Sequence, residues 1–375
     1  MNNYYLSTKD LTVGYNGVPL IKDIGINIEK GEIVTLIGPN GSGKSTILKS
    51  ITKHLKTISG DTEIGEKSVA EISYKDLSKK LAIVLTDRIK PELMTCREIV
   101  GTGRYPYTGR FGILGEEDNR IVDETMRKVQ VEELAERDFL SCSDGQKQRI
   151  LLARAICQKP EIIVLDEPTS FLDIKHKLEL LNILRTMAKE ENITVVMSLH
   201  EIDLAMKISD KIICVKGDTI PYMGTTDEIF KDEIINELYN ITNGSYNIEF
   251  GSVELPKAEG RPEVFVISSS GNGIPVYRAL QKQGIPFATG ILYKNDTDYQ
   301  VAEALASEVV WEKSFCNISA DKTEEAKKII DSCKYVINAG FEVGEFNKAI
   351  LSLLDYGKEK GKLISREELL INAIR

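Results

Sequence analysis

The sequence predicts an α/β protein built as two units, each a largely parallel sheet with helices wound over its faces. Three observations predict it. Short β-branched runs at residues 33–37, 81–85, 162–165, 193–197 and 211–215 alternate with helical patterns through the first 250 residues. A second, shorter series of the same kind starts at residue 264. Between them, residues 251–263 are polar, hold two prolines and lack periodicity, which is the composition of a linker.

Composition supports this reading and narrows the function. A chain of 375 residues is long enough for at least two cores, and 42% hydrophobic with 28% charged residues is globular. Fifty-seven acidic against 48 basic residues give a net charge of −9, so nothing draws the whole chain to a phosphate backbone, and a nucleic-acid partner is not expected. No run approaches the ~20 apolar residues of a membrane helix. The first ten residues lack a signal-peptide layout, so a soluble, intracellular chain is expected. The six cysteines are scattered without a C-x-x-C pair and are expected to be reduced and mostly buried. The three histidines, His54, His176 and His200, lie too far apart in sequence to suggest a zinc site.

In the first unit the chemistry begins after the strand at 33–37. Gly38, Pro39, Asn40, Gly41, Ser42, Gly43, Lys44, Ser45 and Thr46 match G-x-x-x-x-G-K-[ST] between a strand and an amphipathic helix. Glycines let backbone N–H groups curl around a β-phosphate, and the helix N-terminus adds its positive end. Lys44 is placed to reach the β- and γ-phosphates, and Ser45 to ligate Mg²⁺.

The strand at 162–165 then runs into Asp166 and Glu167, at the end of a sheet where α/β folds present ligand groups. Asp166 can order the shell of the Mg²⁺ ion, and Glu167 can polarise an attacking water as general base. His200 ends the next strand, where it can hold a γ-phosphate in line; taken alone, it is more often a structural histidine. Ser143, Asp144, Gly145 and Gln146 open a further helix, read as an uncapped, anion-binding N-terminus, with Ser143 equally a plain N-cap.

The second series predicts strands at 264–267, 287–293, 309–311 and 335–337 with helices at 274–283, 298–307 and 323–332. Asp321 and Glu324 suggest a capping box on the last of these helices. Ser268-Ser-Ser-Gly-Asn-Gly273 reads first as a tight strand-to-helix turn and second as an anion site. Asn295-Asp-Thr-Asp298 reads as a helix cap.

Taken together, these residues resemble the ATPase subunit of ABC transporters. The fold this implies is α/β: a P-loop ABC ATPase domain over residues 1–250, with a helical subdomain at about 87–158. The linker 251–263 and a small doubly wound, Rossmann-like α/β domain over 264–375 follow, the last outside the common pattern and of regulatory or dimerising role. Cys142-Ser-Asp-Gly-Gln146 looks like the family signature L-S-G-G-Q, and Ser170-Phe-Leu-Asp173 like its dimer-contact loop. Tyr15 sits where the family stacks an aromatic on adenine; the alternative is a packed strand residue. The resemblance implies ATP and Mg²⁺ as cofactors and a head-to-tail homodimer in which Ser143 and Gly145 act in trans. It also implies work beside a membrane permease and, indirectly, a substrate-binding protein, at the cytoplasmic face of the membrane.

The run from Met94 to Tyr107, with Glu117-Asp-Asn119 after it, is similar to the branch serving ferric-siderophore, haem and cobalamin importers. Thr86 stands where the family has a glutamine that joins the Mg²⁺ shell and relays motion to the permease; Asp87 could substitute. Cys142 and Asp144 replace a leucine and a glycine of the signature. The competing readings are a soluble ABC ATPase acting on ribosomes or DNA and a small-molecule kinase. The first usually fuses two ATPase units or inserts long coiled coils, and the second needs neither Ser143 nor His200.

Overall fold

The computed structural model describes residues 4–85, 91, 93–109, 111–248, 251–365 and 368. Contacts divide the chain into two compact units, Met1–Tyr239 and Asn240–Arg375.

The first unit opens with β1 (Tyr4–Tyr15), which turns through Asn16 and Gly17 into β2 (Val18–Ile24). Both turn residues have positive φ, 53° and 79°, the geometry that two-residue hairpins demand and that Asn-Gly supplies. β3 (Ile33–Ile37) follows, with all five residues buried, and leads through the glycine loop into α1 (Lys44–Ile51). β4 (Ser59–Ile64) pairs antiparallel with β1 and extends that outer sheet. β5 (Leu81–Val84) is followed by the helices α2 (Cys96–Gly101), α3 (Glu116–Lys128) and α4 (Asp144–Cys157). Then come β6 (Ile162–Leu165), α5 (Ile174–Lys189), β7 (Thr194–Ser198), β8 (Lys211–Lys216) and β9 (Thr219–Thr225).

The main sheet has the order β9–β8–β3–β7–β6–β5, parallel throughout except for the β8–β9 pair. Its central strands are apolar on both faces, as a sheet covered on both sides requires. The crossovers set the C-terminal ends of β3, β6 and β7 side by side, and the glycine loop, Asp166, Glu167 and His200 leave the sheet there.

The second unit begins with a short hairpin, Ser245–Asn247 against Ser252–Glu254. β10 (Val264–Ser268), α6 (Ile274–Lys282), β11 (Phe287–Tyr293), α7 (Thr297–Leu305) and β12 (Glu308–Glu312) come next. α8 (Ala320–Ser332), β13 (Tyr335–Gly340), α9 (Ile350–Glu359) and β14 (Leu363–Ile364) complete it. The strands pair in parallel in the order β12–β11–β10–β13–β14. That is the 3-2-1-4-5 order of a Rossmann-type sheet. Val276, Tyr277 and Leu280 of α6 pack with Val301 and Leu305 of α7 in one core layer. Ala326 and Ile330 of α8 pack with Ile350 and Leu353 of α9 in another, so the sheet is wound on both faces.

Two local expectations differ from the structure. Residues 252–254, inside the stretch read as a linker, form a strand whose Glu254 is buried and bound to Arg278. The cap of α8 is Ser319, which accepts from the Lys322 N–H at 3.4 Å; Asp321 lies within the first turn. A serine hydroxyl one residue outside the helix reaches the third N–H directly, whereas Asp321 is already helical.

Candidate functional site

The glycine loop is shaped by positions that only glycine fits. Gly38 has φ of 146°, and a Cβ there would lie 2.1 Å from the Val215 carbonyl oxygen. Gly43 caps α1 with φ of 94°, and a Cβ there would meet Ile21 Cδ1 at 2.6 Å. No side chain caps the first N–H groups of α1. The Gly38 N–H itself donates to the Tyr239 hydroxyl at 3.2 Å. Lys44 is buried, with Nζ 2.8 Å from the Gly38 carbonyl and 3.0 Å from that of Pro39. Burial pushes its ammonium below the usual lysine range, against the opposing pull of Glu167 and Asp166. The Ser42 hydroxyl is buried and has no partner among the described residues. An arrangement with a desolvated cation, an orphaned hydroxyl and uncapped helix N–H groups fits a phosphate chain.

Asp166 and Glu167 meet this loop. The Ser45 hydroxyl donates to Asp166 Oδ1 at 2.9 Å. Glu167 lies across the cleft with φ of +50°, a strained conformation for a non-glycine residue. His200 Nε2 is 2.5 Å from Glu167 Oε1, and the Ser170 hydroxyl donates to Glu167 Oε2 at 3.3 Å. Asn40, Gly41, Gly43, Lys44, Ser45, Thr46, Glu167 and His200, with Leu20, line one open cleft of about 350 Å³.

Tyr15 is 49% exposed and its hydroxyl lies 3.3 Å from Thr46 Oγ1, so it is not a packed strand residue but an aromatic face beside the loop.

Leu20, Tyr239 and Ser198 all belong to the site but went unread in the sequence. Ser198, fully buried at the end of β7, donates to Asp166 Oδ1 at 2.7 Å and accepts the Glu167 N–H at 2.9 Å. It clasps both carboxylate residues, and it fixes the backbone of the strained one. A serine closing an apolar strand carries no motif; only the β6–β7 pairing brings it into register.

The helix at Ser143 is not uncapped. The Ser143 hydroxyl accepts from the Gln146 N–H at 3.3 Å while Gln146 Oε1 accepts from the Ser143 N–H at 3.0 Å, a full capping box. Ser143 and Asp144 are exposed, and Gly145 and Gln146 half-buried; none of them lines the cleft at Lys44. Asp173 is the exposed N-cap of α5, accepting from the His176 N–H at 2.9 Å. Thr86 and Asp87 lie outside the described residues.

In the second unit the Ser268–Gly273 loop is filled from inside. The Ser270 N–H donates to Asp296, and the Gly273 N–H reaches both oxygens of Asp298 at 3.0 Å. Burial makes Asp298 a weaker acid than usual. The Tyr277 hydroxyl bridges Ser268 and Thr289 at 2.6 and 2.8 Å. The turn reading holds here, because the donors an anion would use are already engaged. Asp296 also caps α7, as the Asn295–Asp298 reading expected.

Comparison with known proteins agrees with this geometry. The family model described as ABC transporter matches residues 21–170, and a second, the MJ0874 family, matches residues 287–369. An uncharacterized ABC transporter ATP-binding protein of Methanocaldococcus jannaschii is 42% identical over 288 residues, covering 76% of this chain and 99% of that protein. The iron(3+)-hydroxamate import ATP-binding protein FhuC of Bacillus subtilis is 37% identical, over 63% of this chain and 88% of its own. A dimeric ATP-binding cassette solved in a post-hydrolysis state with ADP and Pi superposes with a TM-score of 0.54 at 28% identity, covering 59% of this chain and 98% of that one. With the phosphate loop, the paired carboxylates and the histidine in one cleft, and relatives aligned over nearly their whole length, the chain belongs to the ATP-binding proteins of the ABC transporter family.

Proposed function

We propose that this chain is the ATP-hydrolysing subunit of an ABC importer, working as a homodimer on a separate membrane permease. The convergence of Lys44, Ser45, Asp166, Glu167 and His200 on one cleft carries the reading. In it, the loop from Gly38 to Thr46 wraps the phosphates of ATP, Lys44 exchanges its own-loop carbonyls for the β- and γ-phosphates, and Tyr15 covers the adenine. Glu167 takes a proton from the attacking water, and His200 leaves Glu167 to hold the γ-phosphate in line. Ser45 and Asp166 offer a hydroxyl and a carboxylate oxygen, the hard donors Mg²⁺ prefers, and would hold that ion. Bound there, such an ion would supply positive charge against the β- and γ-phosphates.

Ser143, Asp144, Gly145 and Gln146 lie apart from this cleft. That is the placement expected of a signature closing over ATP in the partner, with Asp173 in the dimer contact. A groove of about 1250 Å³ runs between Thr52–His54, Tyr74, Tyr105, Pro106, Arg154 and Gln158. It is a concave seat for a permease helix, with relay at Thr86 or Asp87. Among the described residues no helix is long and apolar enough to cross a membrane. Work at the cytoplasmic face with an indirectly linked substrate-binding protein, and uptake of an iron chelate or cobalamin, follow from importer relatives such as FhuC. The test is copurification: an integral permease should accompany the tagged chain, and the pair should take up labelled chelate or cobalamin only with ATP. Recovery with ribosomes or DNA instead would overturn the importer reading.

A further inference from the structure

The signature helix α4 starts beside a pair of groups that ATP hydrolysis does not use. Cys142, immediately before Ser143, turns its thiol inward to lie 3.5 Å from the thiol of Cys96. Cys96 is fully buried and Cys142 only 4% exposed. The two come from segments tied together by backbone. The Cys96 N–H donates to the Arg137 carbonyl at 2.9 Å, the Phe139 N–H donates to that of Met94 at 3.0 Å, and Thr95 and Asp138 form an antiparallel bridge. Cys96 opens α2 behind a capping box between Thr95 and Glu98, and Cys142 ends the turn Phe139–Ser141. Sulfur atoms held this close on two anchored segments are poised for one reaction.

We propose that Cys96 and Cys142 form a reversible disulfide when hydrogen peroxide is present, and that this bond disables the signature at Ser143. Cys142, the less buried of the two residues, attacks one peroxide oxygen. The O–O bond breaks, the other oxygen takes up a proton and leaves as water, and Cys142 becomes a sulfenic acid. Cys96 then gives up its proton and attacks that sulfur; the S–O bond breaks, and the hydroxide leaves with the proton as a second water. The two thiols together lose two electrons and two protons, and the peroxide gains them. Burial holds the Cys96 thiol up at about 12, so Cys96 rests as a thiol and reacts through local opening of the turn.

A disulfide needs sulfurs about 2.05 Å apart, so they must close by about 1.5 Å. Cys142 is joined by one peptide bond to Ser143, whose own N–H and hydroxyl are both committed to Gln146. Drawing Cys142 toward α2 therefore shifts the serine or breaks its capping box. The loss of activity rests on the proposed role of Ser143 in trans; formation of the bond does not.

The test uses the full chain with Cys316→Ser, which removes the exposed thiol that would cross-link copies. After hydrogen peroxide and alkylation in denaturant, mass spectrometry should find a peptide pair joined through Cys96 and Cys142. ATPase turnover should fall at least tenfold, and dithiothreitol should restore it. Nucleotide binding to the single chain should not change. Cys96→Ala and, against a packing defect in that variant, Cys96→Val should keep turnover and lose both the cross-link and the peroxide sensitivity. Absence of the joined peptide, while Cys316 in the unaltered chain is oxidised, overturns the pairing. A joined peptide with full turnover, or a loss that dithiothreitol does not reverse, overturns control of the signature. Turnover of the reduced protein reports separately on the ATPase reading.

Discussion

Replacing Ser198 with alanine tests whether the two carboxylates act as a positioned pair. Ser198 is fully buried and makes two bonds there, accepting from the Glu167 N–H and donating to Asp166. Truncation leaves the Glu167 N–H without this partner, at about 1–3 kcal/mol, and removes a bond to a charged carboxylate worth about 1.5–3 kcal/mol. These share one site and partly relax, so the loss of stability should be about 3 kcal/mol rather than their sum. The effect on chemistry is of similar size. Glu167 sits at φ of +50° and will drift toward an unstrained conformation once released. Misplacing a catalytic group by ~1 Å costs on the order of 10²-fold. The assay is steady-state ATPase beside equilibrium nucleotide binding and chemical denaturation. The kcat should fall about 10²-fold while the nucleotide Kd stays within about threefold, and Ser198→Thr, which keeps the hydroxyl, should recover much of the rate. Full turnover in Ser198→Ala would refute the clasp, and loss of ATP binding along with turnover would reduce it to a folding effect.

Other consequences can be checked directly. Glu167→Gln should leave ATP binding intact, cut turnover by orders of magnitude and trap a nucleotide-bound dimer visible by size-exclusion chromatography. In the second unit, the folded pKa of Asp298 is raised above its unfolded value, so its stabilising contribution is complete below about pH 3.9 and is lost as pH rises through the folded pKa. Asp298→Asn carries no such titration. Its melting temperature relative to the unaltered chain should therefore climb as pH rises above about 4, and a difference that is flat with pH would contradict the shift. A chain ending at residue 248 should fold and bind ATP, because it retains Tyr239, whose hydroxyl receives the Gly38 N–H. Ending it at residue 238 should weaken binding, as measured by nucleotide fluorescence.

What could be read in the sequence was whatever is local. The phosphate loop follows from glycine spacing between a strand and a helix, and the helix pattern around Ala326 and Ile330 follows from period. Asp166, Glu167 and His200 were found because each ends an apolar run, and chain direction alone puts such ends together. Groups that meet across long separations left no trace. Cys96 and Cys142, 46 residues apart, looked like two ordinary buried thiols. Ser198 looked like one more strand residue. Ser268–Gly273 gave no sign that Asp296 and Asp298 would turn back into it, because the return path is set by the β10–β11 pairing. Polarity in 251–263 concealed a short strand, since a hairpin of three-residue strands is too brief for alternation to show.

The carboxylates inside the second unit's loop set how many nucleotides the protein can count. A Rossmann-type strand order ordinarily advertises a phosphate-binding end, and this chain carries two sheets whose loops leave the strands in that way. In the second, the N–H groups of Ser270 and Gly273 already donate to Asp296 and Asp298, so an incoming phosphate finds those donors taken. Calorimetric titration with ATP should accordingly return one class of site at one equivalent per chain, two per dimer. Saturation then reports the state of the transport engine alone, undiluted by a second compartment of bound nucleotide.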